Sequence, residues 1–300
     1  MHMTRHAARR THPAPLERGP SRDPPRQPPR DRDDVDDPLV AHSRATWSIG
    51  DFQRIAVGFA GEASEFVRRL VLESGTCVLD VACRTGNLAI PAARTGAVVT
   101  GIDIAPTLLD TARRRATDAG LTIQFDEGHP EALPYADGSF DLAISMFGVM
   151  FSARPEAAAR ELTRVVRPGG RIVLANWIPA GFIGRLVVAH TSRLSVPPGM
   201  PNPLLWGDRD VVRERFGKRV RHLTFTPRTL TFLYPMSPAG VVELFRSCYG
   251  PTIRTFEALD VDGRAALAVE LTRLWTSRNR ASGGMTRVEA DYLEVSAQVV

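Results

Sequence analysis

Lysine is almost missing from this 300-residue chain: Lys218 stands alone among 38 basic residues, and the rest are arginine. So one-sided a choice reflects a GC-rich genome more than a chemical need. The formal net charge of +5 is modest, and arginines do not cluster with aromatics on one element, so no nucleic-acid partner is expected. Long apolar runs are missing too. No stretch approaches the roughly 20 residues of a membrane-crossing helix, and no membrane partner is expected. The three cysteines, Cys77, Cys83 and Cys248, are odd in number and lack metal-ligand spacing. They read as reduced thiols in a cytosol, with no disulfide framework and no metal site.

The first 38 residues are short of apolar side chains. Arg18-Gly19-Pro20-Ser21-Arg22-Asp23-Pro24-Pro25 and its continuation to Arg30 cannot repay the entropy of ordering, so residues 1–38 are predicted to be a disordered Pro/Arg-rich tail. The tail has no apolar core of a secretory signal, and its many aspartates argue against a mitochondrial presequence. It reads as a dispensable extension more readily than as a Pro-rich docking ligand. The remainder, 43% hydrophobic residues overall, suffices for one α/β domain over 39–300.

What is present is concentrated in one segment. Val78-Leu79-Asp80-Val81 is a short apolar run suited to a strand covered on both faces, and a small-residue turn, Ala82-Cys83-Arg84-Thr85-Gly86-Asn87, follows it. A helix begins near Leu88, and Ala97 to Ile102 forms a second strand that ends in Asp103. Such a turn lies at the carboxyl edge of a parallel sheet, where open α/β folds bind ligands. Gly86 would let the backbone approach a ligand, the free N–H groups of the helix would favour an anionic group, and Asp103 could accept from both hydroxyls of a ribose. The competing reading is a structural βαβ turn with Asp103 capping the next helix.

The turn lacks G-x-G-x-x-G spacing, which weakens a dehydrogenase reading. Its Asp80-x-Ala82-x-Arg84-x-Gly86 resembles the first motif, E/D-x-G-x-G-x-G, of the class I S-adenosylmethionine-dependent methyltransferases, and Asp103 resembles their second. The resemblance runs on through Gly128-His129-Pro130-Glu131-Ala132-Leu133-Pro134, Gly138-Ser139-Phe140-Asp141 and Arg164-Val165-Val166-Arg167-Pro168-Gly169-Gly170. It covers residues 45 to 300 and is greatest to a subgroup that modifies quinones and other small metabolites.

The family implies a Rossmann-like α/β fold. Its doubly wound seven-stranded sheet is mostly parallel, with an antiparallel last strand and helices on both faces. It also implies lid helices over 39–75, a cofactor-binding core over 76–177, a substrate-side insertion over 178–217, and C-terminal strands and helices over 218–300. The cofactor implied is S-adenosylmethionine, held by Asp80, Ala82, Arg84, Gly86, Asn87, Asp103, Ile104 and His129.

This chain departs from the family pattern at three places. Ala82 replaces a glycine with little added bulk. Arg84 replaces the glycine nearest the cofactor, so its side chain must point away, sit in an unusual conformation, or reach the methionine carboxylate. His129-Pro130 stands where the family has an acid for the adenine amine and an N–H for an adenine nitrogen. A neutral imidazole can still accept one hydrogen bond, but Pro130 has no N–H to give.

Along the chain, Trp47, Phe52 and Ile55 suggest a first helical segment, and Phe66, Val67, Leu70 and Val71 a second helix ending near Gly75. Pro106 and Pro155 start helices; Leu121 to Phe125, Phe140 to Met146 and Arg171 to Trp177 read as strands. Residues 178–217 show no clean period. Val220 to Phe225 and Thr229 to Tyr234 read as strands, Ala239 to Tyr249 and Arg264 to Arg278 as helices, and Tyr292 to Val299 as the last strand.

The chemistry implied is in-line attack on a sulfonium methyl, where the protein's task is to align the reactants and exclude water. A base is optional. His190 and His222 are candidates, and neither is preferred to a packing role. Phe147, Phe151, Trp177 and Trp206 are expected to line an apolar acceptor pocket for a small molecule. Strand four ends in Ser145-Met146-Phe147-Gly148, unlike the turn used to methylate amines of nucleic acids. Two function classes stay open. One is methyl transfer to an oxygen or carbon of a small, largely apolar metabolite. The other is a methyltransferase-like protein whose weakened cofactor site serves as a binding module or a non-methylating enzyme. Deleting the tail is expected to leave melting temperature and cofactor affinity unchanged, which a thermal melt and a calorimetric titration would check.

Overall fold

The strand pattern at the centre of the sequence folds as its apolar runs dictate. The computed structural model describes residues 37–194 and 196–300, so all but the last two residues of the tail predicted over 1–38 lie outside the described residues. Seven strands form one sheet: β1 Cys77–Val81, β2 Val98–Asp103, β3 Gln124–Glu127, β4 Phe140–Met146, β5 Val166–Trp177, β6 Val220–Tyr234 and β7 Thr286–Val299. Their order is β3-β2-β1-β4-β5-β7-β6. Every pair from β3 to β5 is parallel, and β7 runs antiparallel to both β5 and β6. The order reverses at β1, so the turns after β1 and β4 flank the switch point at which such sheets bind ligands.

Eleven helices surround this sheet among the described residues. They are α1 Pro38–Trp47, α2 Phe52–Ala56, α3 Ala60–Leu70, α4 Ala89–Ala93, α5 Pro106–Asp118, α6 Pro155–Val165, α7 Phe182–Thr191, α8 Arg209–Phe216, α9 Pro238–Cys248, α10 Gly250–Ala258 and α11 Val261–Arg278. Helix α5 starts at Pro106 and buries Leu108, Leu109, Ala112 and Ala116, the stripe its period predicts. Helix α6 begins at Pro155 and buries Ala158, Ala159, Leu162 and Val165.

Several expectations change in detail. Asp37, within the predicted tail, caps α1: its carboxylate accepts from the Leu39 N–H at 2.8 Å and pairs with Arg154 at 2.9 Å. Helix α3 stops at Leu70, short of Gly75, because Val71 turns left-handed with φ 51° and is exposed. Strand β3 lies later than Leu121–Phe125, since Leu121 closes the α5 turn by donating to the Ala116 carbonyl.

The two strands predicted around Pro227 are one. β6 pairs only with β7, and proline's missing N–H is tolerated on such an edge. The stretch 178–217 is more helical than its sequence suggests. Helix α7 buries Phe182, Leu186, Ala189 and His190, but Ile183, Val187 and Val188 fill the other positions and blur the 3.6-residue period. Helix α10 was not anticipated.

The cap at Asp37 has a measurable consequence. Removing residues 1–36 is expected to leave thermal stability unchanged, while Asp37→Ala lowers it by about 1 kcal/mol, the typical value of a lost N-cap, in a urea titration.

Candidate functional site

The turn after β1 carries the site's first unusual property. The motif positions Ala82, Arg84 and Gly86 all adopt positive φ, at 55°, 52° and 78°. Glycine suits such a backbone, whereas a residue with Cβ is strained there by roughly 1–2 kcal/mol. The methyl of Ala82 is accommodated by Gly148, where a Cβ would stand 2.6 Å from it. Gly86 is needed for its φ and not for an approach to ligand. A Cβ there would meet Ile90, Phe125 and Ala112 at ordinary contact distance, on the side of α5 and β3.

Two buried carboxylates lock this turn. Asp103 accepts the Arg84 N–H at 2.8 Å and the Ala105 N–H at 2.9 Å, one on each oxygen, which leaves each oxygen a lone pair to offer. Asp80 accepts the Ala89 N–H at 3.0 Å. Helix α4 has five residues and this N–H is already engaged, so the helix opening does not supply the anion site expected of it. Burial raises the pKa of both acids, with Asp80 pushed up to about 8 and Asp103 moved in the same direction against its backbone hydrogen bonds. Arg84 lies close to both, and burial lowers its own pKa.

The Arg84 side chain is almost fully enclosed. Its guanidinium lies over the Phe52 ring at 4.3 Å and the Trp47 ring at 5.3 Å, within cation–π reach. It donates to the Phe147 carbonyl. Phe147 has φ 54°, and its ring stacks on Trp177 with centroids 3.6 Å apart.

Arg84 forms part of the wall of two cavities. The first, about 40 Å³, is bounded by Ala82, Asp103, Ile104, Leu108, Gly128 and His129, with Trp47 over it. The second, about 60 Å³, is enclosed by aromatics that include Phe52, Phe59, Phe147, Trp177, Phe232 and Trp275. Its polar groups beside Arg84 are His190, Thr252 and Tyr249. Burial pushes the Tyr249 phenol up to about 12. His129 pairs with Glu131 at 3.0 Å, and Glu131 also accepts from the backbone N–H groups of Ala153 and Arg154.

The sequence-predicted residues thus divide. Ala82, Arg84, Asp103, Ile104 and His129 line the first cavity together, and Phe147 and Trp177 line the second. Asp80 lies beneath the turn as a support. Asn87 faces away from both cavities, and its Oδ1 accepts from Arg115 at 2.8 Å. Phe151 borders the first cavity and an adjoining groove. Trp206 borders none of these; it packs against Phe216 and under the Arg215 guanidinium.

Of the two histidines, His222 is exposed in a bulge of β6, away from the site. His190 is at the second cavity, but its Nδ1 donates to the Leu186 carbonyl and its Nε2 accepts from the Thr252 hydroxyl. Burial lowers its pKa to about 4, so it is a neutral and weak base. Phe59, Phe232, Tyr249, Thr252 and Trp275 escaped the sequence reading. They come from segments far apart in the chain, and locally each looks like a core residue.

The chain matches the methyltransferase domain family over residues 79–174. It is 39% identical over 241 residues to an uncharacterised protein of Mycobacterium tuberculosis, spanning 79% of this chain and 87% of that one. A 104-residue stretch is 43% identical to a demethylmenaquinone methyltransferase of Thermus thermophilus, covering 34% of this chain and 47% of that enzyme. Among solved structures, the YcgJ protein of Bacillus subtilis superimposes with a TM-score of 0.54 over 80% of this chain and 98% of its own. At 16% identity this is a likeness of fold.

Asp80 gives the site a pH signature. Its folded pKa, about 8, lies above the ordinary carboxylate value, so the folded chain binds more protons than the unfolded one between about pH 4 and 8. The stability it contributes is complete at low pH and is lost as pH rises through this window. His190 acts in the opposite sense: its stabilisation is complete above pH 6.5 and fades as pH falls toward 4. Asp80→Asn should therefore gain melting temperature relative to the unaltered chain as pH rises from 6.5 to 8, and a difference that stays flat would contradict the burial of a protonated Asp80.

Proposed function

Because the chain belongs to the class I S-adenosylmethionine-dependent methyltransferases, we propose that it methylates an oxygen or carbon of a small, largely apolar metabolite. The observation that carries this reading is the meeting of two unlike cavities at one residue, Arg84. One has a carboxylate at the end of β2, and the other is walled by aromatic rings.

The residues of the first cavity fit the adenosine half of the cofactor. Asp103 retains a lone pair on each oxygen for ribose hydroxyls, and Ile104 and Leu108 give apolar faces to a flat base. His129 can offer one acceptor to the adenine amine, held in place by Glu131. Pro130 offers no donor, so adenine is recognised with one hydrogen bond fewer than the family pattern provides. A cavity of about 40 Å³ is far below the roughly 300 Å³ of an ordinary ligand site, so the lid must open for entry.

The bound cofactor supplies an electrophilic methyl on a sulfonium; the protein's residues align and shield it. Arg84 is the pairing group for the methionine carboxylate in this reading. Its side chain makes one hydrogen bond among the described residues, to Phe147, and keeps further N–H donors for an anion. The stacked Phe147 and Trp177 present a flat wall on which a planar acceptor can lie beside the methyl, and the surrounding rings exclude water. No side chain here is poised as a strong base. His190 is neutral and engaged, so an acceptor with an acidic oxygen or carbon of its own suits the cavity best.

Calorimetric titration with S-adenosylhomocysteine tests the assignment. Asp103→Ala should weaken binding by about 1.5–3 kcal/mol, the range for hydrogen bonds lost from a charged group, and unchanged affinity in a folded variant would sink the ribose role. Arg84→Gly relieves backbone strain but deletes the charge. Weaker binding is expected from loss of the carboxylate pairing. Tighter binding would instead identify Arg84 as an obstruction and favour a protein that uses this fold without methyl transfer.

A further inference from the structure

The aromatic cavity adjoins a much larger groove. The inner cavity, about 60 Å³, has room for a few atoms, whereas the groove, about 720 Å³, lies in the range that holds a whole drug-sized ligand. The two share Val187, His190 and Tyr249, so they are neighbouring compartments of one site. Tyr249 stands at their common wall, and Trp47, edge-on to Tyr249 at 5.8 Å and to Phe151 at 5.0 Å, separates the groove with Phe151 from the cavity beside Asp103.

The groove wall is largely apolar. It runs from Val187 and Val188 on α7 past Val196, Met200 and Leu204, with Arg254 and Glu257 of α10 as its charged members. Val188 and Val196 are 55% and 40% exposed there, apolar surface left open to water. Ser43, Thr46, Ser152, Thr191 and Asn202 stand among these apolar residues as polar groups.

We propose that the acceptor is a two-part molecule: a flat head bearing the attacked atom enters the aromatic cavity, and an apolar chain remains in the groove. The substrate class is an amphiphile with a phenol-like or enol-like head and an aliphatic tail. This rests on the methyltransferase reading for the role of the head; the tail's place rests on the groove alone. Chain length, more than head chemistry, then sets affinity.

Alkyl esters of 4-hydroxybenzoate, from methyl to decyl, are suitable probes because the head is constant and only the chain grows. Their affinity for the full chain is measured by calorimetry with and without saturating S-adenosylhomocysteine. The expected result is a gain of about two- to fourfold in affinity per added methylene until the groove is filled, close to the value for burying a CH₂. Val188→Asp should abolish most of this gain for long esters, leave the methyl ester unaffected, and be rescued by Val188→Leu.

Ala258→Asp, on the opposite wall, gives a second test if the first variant melts early. Affinity independent of chain length, absence of binding by every ester, or a chain-length gain that survives both aspartates would overturn the proposal. If S-adenosylhomocysteine does not bind while the chain-length gain persists, the cofactor reading fails and the groove assignment stands.

Discussion

One buried carboxylate ties the functional end of this sheet together. Asp103 closes β2, and its two oxygens hold the N–H of Arg84 on one side and the N–H of Ala105 on the other. The first contact fixes the left-handed turn after β1, and the second sets the entry into α5. With 4% of its surface exposed, Asp103 is an expensive group to bury, and burial raises its pKa despite its hydrogen bonds. Asp80 repeats the device one strand over, bonding the N–H that opens α4. The two acids and the Arg84 cation form a compact buried set in which burial raises the pKa of both acids and lowers that of the cation. The turn, the helix entries and the cavity walls are consequences of this arrangement.

Much of the fold was legible because the strands near the centre are short unbroken apolar runs and the helices beside them start at prolines. Phe140–Met146 was read to the residue, and the stripe of α5 follows from Leu108, Leu109, Ala112 and Ala116. The site was legible at the strand ends: Ala82, Arg84, Asp103 and Ile104 lie within one βαβ unit, and His129, Phe147 and Trp177 follow or end the strands beside it. The acceptor side is assembled from α2, α7, α9, α10, α11 and β6, whose aromatics show no pattern that separates a cavity wall from a core. Trp206 illustrates the converse. It lies within the insertion expected to meet substrate, yet it turns inward against Phe216 and Arg215.

Helices α1 and α2 carry Trp47 and Phe52 over the turn after β1. Helices α1 and α2 are held by polar ties at their margins: Asp37 to Arg154, Arg44 to Glu127, and Thr85 to Gln53. Ties of this kind between partly exposed groups contribute little individually, about 0–1 kcal/mol for the ion pairs. Helix α3 is fixed differently, by Arg69 set among Glu62, Glu294 and the Tyr292 hydroxyl and linking the helix to β7. Apolar packing adds to these ties: Phe52, Ile55 and Ala56 of α2 are buried in the main core, and Leu39 and Val40 of α1 in a smaller cluster.

The Trp47 and Phe52 rings also resolve how a side chain came to be tolerated at a backbone position that favours glycine. A left-handed arginine persists only where its surroundings over-determine it. Here the guanidinium is held by two ring faces from the lid and one carbonyl from the turn after β4, and that turn is itself left-handed at Phe147. Two strained residues therefore support each other across the space between β1 and β4. The contact links α1 and α2, the turn after β1 and the stacked Phe147 and Trp177 in one chain of touching groups.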